Sequence, residues 1–137
     1  MNEFSWPLRV YYEDTDCGGV VYYANYLKFM ERARTEWLRA FGFEQDRLRS
    51  DHGVLFAVRS AQVEYLRPAL FNDALEVTVR AVEQGRASLT VDQDVRRVGP
   101  APEVLCTGRI RLACLAAESL RPSPIPDVVW REITVGR

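Results

Sequence analysis

The chain has 137 residues and a mass of 15.7 kDa, a single-domain length that can bury a core without disulfide or metal staples. Eighteen basic residues against 19 acidic ones leave a formal charge of -1, which argues against a broad nucleic-acid surface. No apolar run reaches the length of a membrane span, and Cys17, Cys106 and Cys114, odd in number and with no CxxC pair, argue against a disulfide framework or a zinc cage.

Residues 1–7 read as an N-terminal arm ending at Pro7. Leu8, Val10 and Tyr12 alternate with Arg9 and Tyr11 as a short first strand. The opening MNEFSWPLRV lacks the basic and apolar stretches of a signal peptide, which predicts a cytoplasmic protein with no membrane insertion. A polar turn follows, from Glu13 to Gly19. Then Tyr22, Tyr26, Phe29, Met30, Ala33, Trp37, Leu38 and Phe41 recur at three- and four-residue steps, which predicts a long amphipathic helix stopped at Gly42. Arg32 and Glu36 are spaced as an i, i+4 pair on its polar side. Residues 43–53 read as a polar connector with a short helical turn.

The period then changes to two. Residues 54–66 form one strand region, Leu75–Ala81 a second, Leu89–Arg96 a third and 104–115 a fourth. Pro68, Gly85, Gly99, Pro100 and Pro102 separate them. A proline-punctuated C-terminal tail, 116–137, carries a short helix over 127–133. One helix with a single apolar face and five strands, mostly joined as hairpins, predict an α+β fold: a mainly antiparallel five-stranded sheet wrapped around a long central helix. Residues 1–137 read as one such domain, and its open sheet edges would suit pairing with a second copy.

The unusual segment is YEDTDCGGVVYYANY, Tyr12 to Tyr26. Asp and Thr cap helices and glycines allow tight turns, which is explanation enough for a generic sequence. The loop also has the parts for acyl chemistry. A helix N-terminus presents unpaired N–H groups that can hold an oxyanion, and a carboxylate beside them can attack a carbonyl or activate a water.

The stretch RVYYEDTDCGGVVYYANYLKFMERARTEWLRAFG resembles the start of the hotdog-fold acyl-CoA thioesterases. The likeness is to the 4-hydroxybenzoyl-CoA thioesterase branch, with its D-x-x-G-x-V-x-x-x-x-Y pattern at Asp16, Gly19, Val21 and Tyr26. Within that branch it is most similar to the YbgC-like group, associated in bacteria with the Tol–Pal genes, and the likeness continues through FAVRSAQVEYLRPALFNDALEV. The resemblance implies hydrolysis of an acyl-CoA thioester with Asp16 as nucleophile or general base. The backbone N–H of Tyr23, at the helix start, would polarise the carbonyl, and Gly19 would give clearance. It implies no cofactor, coenzyme A being part of the substrate, and no metal. It also implies a homodimer or homotetramer whose partner chain lends a wall to the pocket; Val58, Arg59 and Tyr65 are candidates for that wall, with Val21 and Tyr26 from the motif. An acyl carrier protein or lipid-synthesis enzymes are candidate partners. Many YbgC-like sequences carry histidine where Tyr23 stands, which bears on substrate preference and on proton transfer there.

Other residues carry plainer readings. His52 reads as a solvent-exposed loop residue, Cys17 as incidental packing, Cys106 and Cys114 as core, Glu13 and Asp14 as capping groups, and Glu64 as a surface polar group. Every basic residue but Lys28 is arginine, which suits either base composition or phosphate binding; Arg109, Arg111 and Arg121 are the candidates for coenzyme A phosphates. Two rival functions stand beside the thioesterase: a hotdog dehydratase, which leans on a histidine, and a non-catalytic binding protein for acyl carriers or lipid-synthesis enzymes.

Overall fold

The computed structural model describes residues 3–133, so the ends of the arm (1–2) and of the tail (134–137) lie outside the described residues. In chain order the elements are β1 (Phe4–Arg9), α1 (Asn25–Ala40), α2 (Gln45–His52), β2 (Val54–Tyr65), β3 (Ala74–Gln84), β4 (Ser88–Arg97), β5 (Glu103–Ala116) and α3 (Asp127–Glu132). The strands form one sheet in the order β1-β3-β4-β5-β2, and every pairing is antiparallel. β3, β4 and β5 follow one another as hairpins. β2 crosses over to the far edge, beside β5.

α1 crosses the sheet and touches β1, β3 and β4. Its buried side, Phe29, Met30, Ala33, Trp37 and Leu38, meets the inward residues Val77, Val79, Val91, Val95 and Ile110. Each large side chain buried there stabilises the fold by about 1.5–3 kcal/mol. Gly108 on β5 makes the seat: a Cβ there would stand 2.9 Å from both Cε and Sδ of Met30. The helix ends in a Schellman motif. Gly42, at φ +94°, donates to the Arg39 carbonyl and Phe43 to the Leu38 carbonyl, both at 2.9 Å, as the glycine position predicts.

Three expectations are corrected. The first strand begins inside the arm, at Phe4, and ends at Arg9. Phe4, Trp6 and Leu8 alternate with exposed neighbours, and Pro7 is tolerated because β1 is an edge strand. The polar connector contains two turns of helix, α2. Only Leu48 of α2 is buried, so no apolar stripe announces it, and its true signal is Gly53, which caps it at φ +67°. Arg32 does not pair with Glu36. Its guanidinium lies over the Phe29 ring at 5.9 Å, while Glu36 pairs with Arg39 at 2.6 Å.

Candidate active site

The polar loop before α1 is folded back on itself as a miniature antiparallel ladder. Asp16 donates to the Val20 carbonyl (2.9 Å), Thr15 bridges Val21, and Tyr22 donates to the Asp14 carbonyl (3.0 Å). At its tip the Asp16 carboxylate accepts the Gly18 N–H at 2.8 Å through Oδ1. Oδ2 of this exposed residue has no donor among the described residues. Gly19 turns the chain at φ +81°, in the left-handed region that favours glycine. A Cβ there would meet nothing within 4 Å, so conformation, rather than a close neighbour within this chain, requires the glycine.

The loop's polar side chains cap the loop, not the helix. Asp14, buried, accepts the Tyr11 N–H at 2.8 Å, and the Thr15 hydroxyl donates to the Tyr12 carbonyl. α1 starts at Asn25, with Ala24 at its N-cap and no side-chain cap. Tyr23 therefore precedes the helix and does not open it, a shift from the expected position. Its backbone N–H has no acceptor among the described residues, whereas those of Tyr22 and Asn25 are bonded to carbonyls. A free carboxylate oxygen and a free backbone donor thus belong to one short, internally bonded loop.

Behind that loop lies a second one, residues 66–73, which no periodicity in the sequence announces. Val21 donates to the Ala69 carbonyl (2.9 Å), Val20 bridges Leu70, and the Tyr26 hydroxyl accepts the Ala69 N–H at 3.0 Å. Arg97 secures this support, donating to the Pro68 carbonyl and pairing with Asp73 and Glu103. Val21 and Tyr26 are thus buried under the loop as its props, and neither presents surface to a ligand in this chain. Burial also pushes the Tyr26 phenol above its ordinary pKa.

Of the expected wall residues, Tyr65 alone reaches this region within the chain. Its ring makes edge contacts with Tyr23 (6.0 Å) and Tyr26 (5.5 Å). Val58 and Arg59 lie seven and six residues earlier on β2, about 20 Å away at the rise of a strand. Arg59 falls in a register irregularity between Val58 and Ser60. Val58 is half exposed and borders a different cavity, between α1 and the sheet. Tyr12 and Phe71 form an exposed edge-to-face pair (5.9 Å), one on each of the two loops.

The remaining candidates fall away from the loop. His52 ends α2 and is exposed. Cys17 is exposed beside Asp16 rather than packed, while Cys106 and Cys114 are buried. Arg109 makes a two-pronged pair with Asp92 (2.8 and 2.9 Å) and holds that carboxyl below its usual range. Arg111 faces Glu83 at 3.6 Å, and Arg121 is exposed. Among the described residues no three metal-ligating side chains gather, and no helix is long and apolar enough to cross a membrane.

Comparison with known proteins follows the same lines. The profile of the thioesterase-like superfamily matches residues 10–133. Acyl-CoA thioester hydrolase YbgC of Escherichia coli is 40% identical over 129 residues, which cover 94% of each chain. The crystal structure of a probable thioesterase from Bartonella henselae superposes with a TM-score of 0.83 at 32% identity, over 91% of this chain and 100% of that one. A 4-hydroxybenzoyl-CoA thioesterase structure superposes at 0.90 with 17% identity, over 96% and 99% of the two chains, a likeness of fold. The α+β hotdog fold expected from the sequence is the one observed.

Proposed function

This chain belongs to the thioesterase-like superfamily, and from that membership we propose that its Asp16 loop hydrolyses the thioester bond of an acyl-CoA. The protein is an acyl-CoA thioester hydrolase, which releases a free acid and coenzyme A. The observation that carries the assignment of the site is the loop itself. It holds the free Oδ2 of Asp16 and the free N–H of Tyr23 together on one bonded frame.

In this reading the substrate carbonyl oxygen accepts the Tyr23 N–H. That donor gains strength as the oxygen takes on charge in the tetrahedral state. Asp16 then acts in one of two balanced ways. As nucleophile, Oδ2 bonds to the carbonyl carbon, the C–S bond breaks, coenzyme A leaves as thiolate, and water hydrolyses the mixed anhydride. As general base, Asp16 takes a proton from water while the water oxygen attacks, and the proton passes to the leaving thiolate. Tyr23 acts through its backbone, since a phenol with a reference pKa near 10 is a poor base at neutral pH. No cofactor takes part in either route.

The reading includes a second copy of the chain. β2 is a twelve-residue edge strand whose residues 58–62 are all exposed, and Tyr65 at its end touches Tyr23. A second β2 paired along it would carry Val58 and Arg59 toward the neighbouring loop and complete the pocket. A dimer, or a tetramer of two such pairs, is the expected working form, in the cytoplasm, with an acyl carrier protein as a candidate partner.

The test is release of coenzyme A thiol from a panel of short-chain, long-chain and aromatic acyl-CoAs by the parent and by Asp16→Asn. The asparagine keeps an oxygen for the Gly18 N–H and loses the charge. Turnover in the parent with at least a hundredfold loss in the variant is expected, the scale of general acid–base catalysis, about 10²–10⁴-fold. Equal turnover in both removes Asp16 from the mechanism.

A further inference from the structure

A cavity of about 120 Å³ lies between the second half of α1, the start of β2 and the inward faces of β4 and β5. Its walls are largely apolar, with Trp37, Phe56, Leu89 and Leu112 among them, yet it contains Arg34. That arginine is only 8% exposed. One N–H donates to the Gln93 side-chain oxygen at 2.9 Å, and the Gln93 amide donates in turn to the Met30 carbonyl at 3.0 Å, so the guanidinium is held from behind.

Glu31, one turn earlier on α1, favours its charge from a distance. No carboxylate lies within ion-pair distance of Arg34 among the described residues, and Glu31, at the cavity's edge, instead accepts the Thr35 hydroxyl at 2.8 Å. The other guanidinium N–H groups have no protein acceptor, yet no buried side-chain nitrogen is sealed away without a partner among those residues. Arg34 itself lines the cavity, so a group that enters it can reach this guanidinium. Removal from water pulls the Arg34 pKa down, and the attraction of Glu31 offsets part of that fall. A charge buried among aromatic and aliphatic walls costs stability unless something pairs with it.

We propose that this cavity is a subsite for the far end of the acyl group, and that Arg34 selects acyl groups that end in a carboxylate. Two parallel N–H groups of a guanidinium match the two oxygens of a carboxylate. The cavity is large enough to hold such an end group. The inference rests on the thioesterase reading and names the substrate class within it. Arg34 stands about 14 Å along α1 from Asn25, at 1.5 Å per residue. A substrate held at the same chain's loop must therefore be long to reach it, whereas one held by a second copy on β2 can be short.

The experiment uses non-hydrolysable S-alkyl-coenzyme A thioethers of four to twelve carbons, in pairs that end in methyl or in carboxylate. Binding is measured by titration calorimetry to the parent, Arg34→Met and Arg34→Lys. At one or more chain lengths the parent should bind the carboxylate-ended member at least about tenfold tighter, the scale of a charged hydrogen bond. Arg34→Met should reverse the preference, and Arg34→Lys should restore part of it. A parent with no preference for carboxylate at any length overturns the proposal, and this arm holds even if Arg34→Met does not fold. A preference that survives in folded Arg34→Met overturns it as well. Carboxylate preference without hydrolysis of any thioester would leave the subsite standing and remove the thioesterase reading. Hydrolysis without that preference would do the reverse.

Discussion

The side-chain amide of Asn25 donates to the main-chain carbonyl of Asp14 at 2.8 Å. This bond ties the first residue of α1 to the strand of the loop that leads into Asp16. It fixes where the carboxylate stands relative to the Tyr23 N–H.

Asn25→Ala should therefore weaken turnover more than folding. The lost bond is worth about 0.5–1.5 kcal/mol of stability. A larger effect is expected on kcat, several-fold, with KM little changed. Steady-state kinetics beside urea unfolding separates the two, and an unchanged kcat would remove Asn25 as a positioning residue.

The two glycines of the loop should respond differently. Gly19→Ala places a Cβ at φ +81°, a left-handed conformation that costs roughly 1–2 kcal/mol, and should lower the unfolding midpoint. At Gly18 the added Cβ would stand 3.2 Å from Oδ1 of Asp16, so Gly18→Ala should shift the carboxylate and reduce kcat with a smaller loss of stability. The opposite ranking in thermal unfolding would contradict this geometry.

Tyr26→Phe keeps the ring contacts and removes the oxygen that accepts the Ala69 N–H. That N–H is buried and would be left unpaired, a loss of about 1–3 kcal/mol. Because Ala69 also accepts the Val21 N–H, the support loop should loosen and activity should fall with stability. Hydrogen exchange at Val21 and Ala69 would report the loosening directly.

What could be read from the sequence follows from what each signal encodes. The helix stripe from Phe29 to Leu38 and the alternation in β3, β4 and β5 are periodic, and burial is what produces periodicity. β1 was obscured by Pro7, read as a stop where an edge strand accepts it. α2 has one buried apolar residue and so no stripe to read. The acidic and glycine residues marked the Asp16 loop. Its supports, Ala69 and Arg97, sit 53 and 81 residues beyond Asp16 in unremarkable stretches, joined only by the fold. Arg34 on α1 resembles any helix arginine until Gln93, on β4, is placed behind it.

The three thiols should divide by burial. Burial pushes Cys106 up to about 12 and Cys114 up to about 11, while Cys17 is exposed. An aromatic disulfide reagent at pH 8 should label Cys17 alone in the folded protein and all three in denaturant. A bulky label beside Asp16 should block turnover. Rapid labelling of more than one thiol in the native state would contradict the burial of β5.

The same thiols set an alkaline limit. The folded chain keeps these protons after the unfolded chain has released them, since an ordinary thiol ionises near 8.5. Their contribution to stability is therefore whole below about pH 8.5 and is lost as pH rises toward 11 and 12. Tyr26, raised by burial, adds to the loss above about pH 10. Urea midpoints should fall across this range, and Cys106→Ala should flatten the fall.

The two edges of the sheet are unequal, and this limits how far the molecule can grow. β2 offers twelve residues of strand to a neighbour, whereas β1 offers six and includes Pro7, which has no N–H to donate. A chain that joins like edge to like edge through β2 uses up the longer of its two edge strands in the act. The pair then ends at both sides in short, proline-bearing strands that are poor seeds for another, so association closes at a finite ribbon rather than continuing into a fibre.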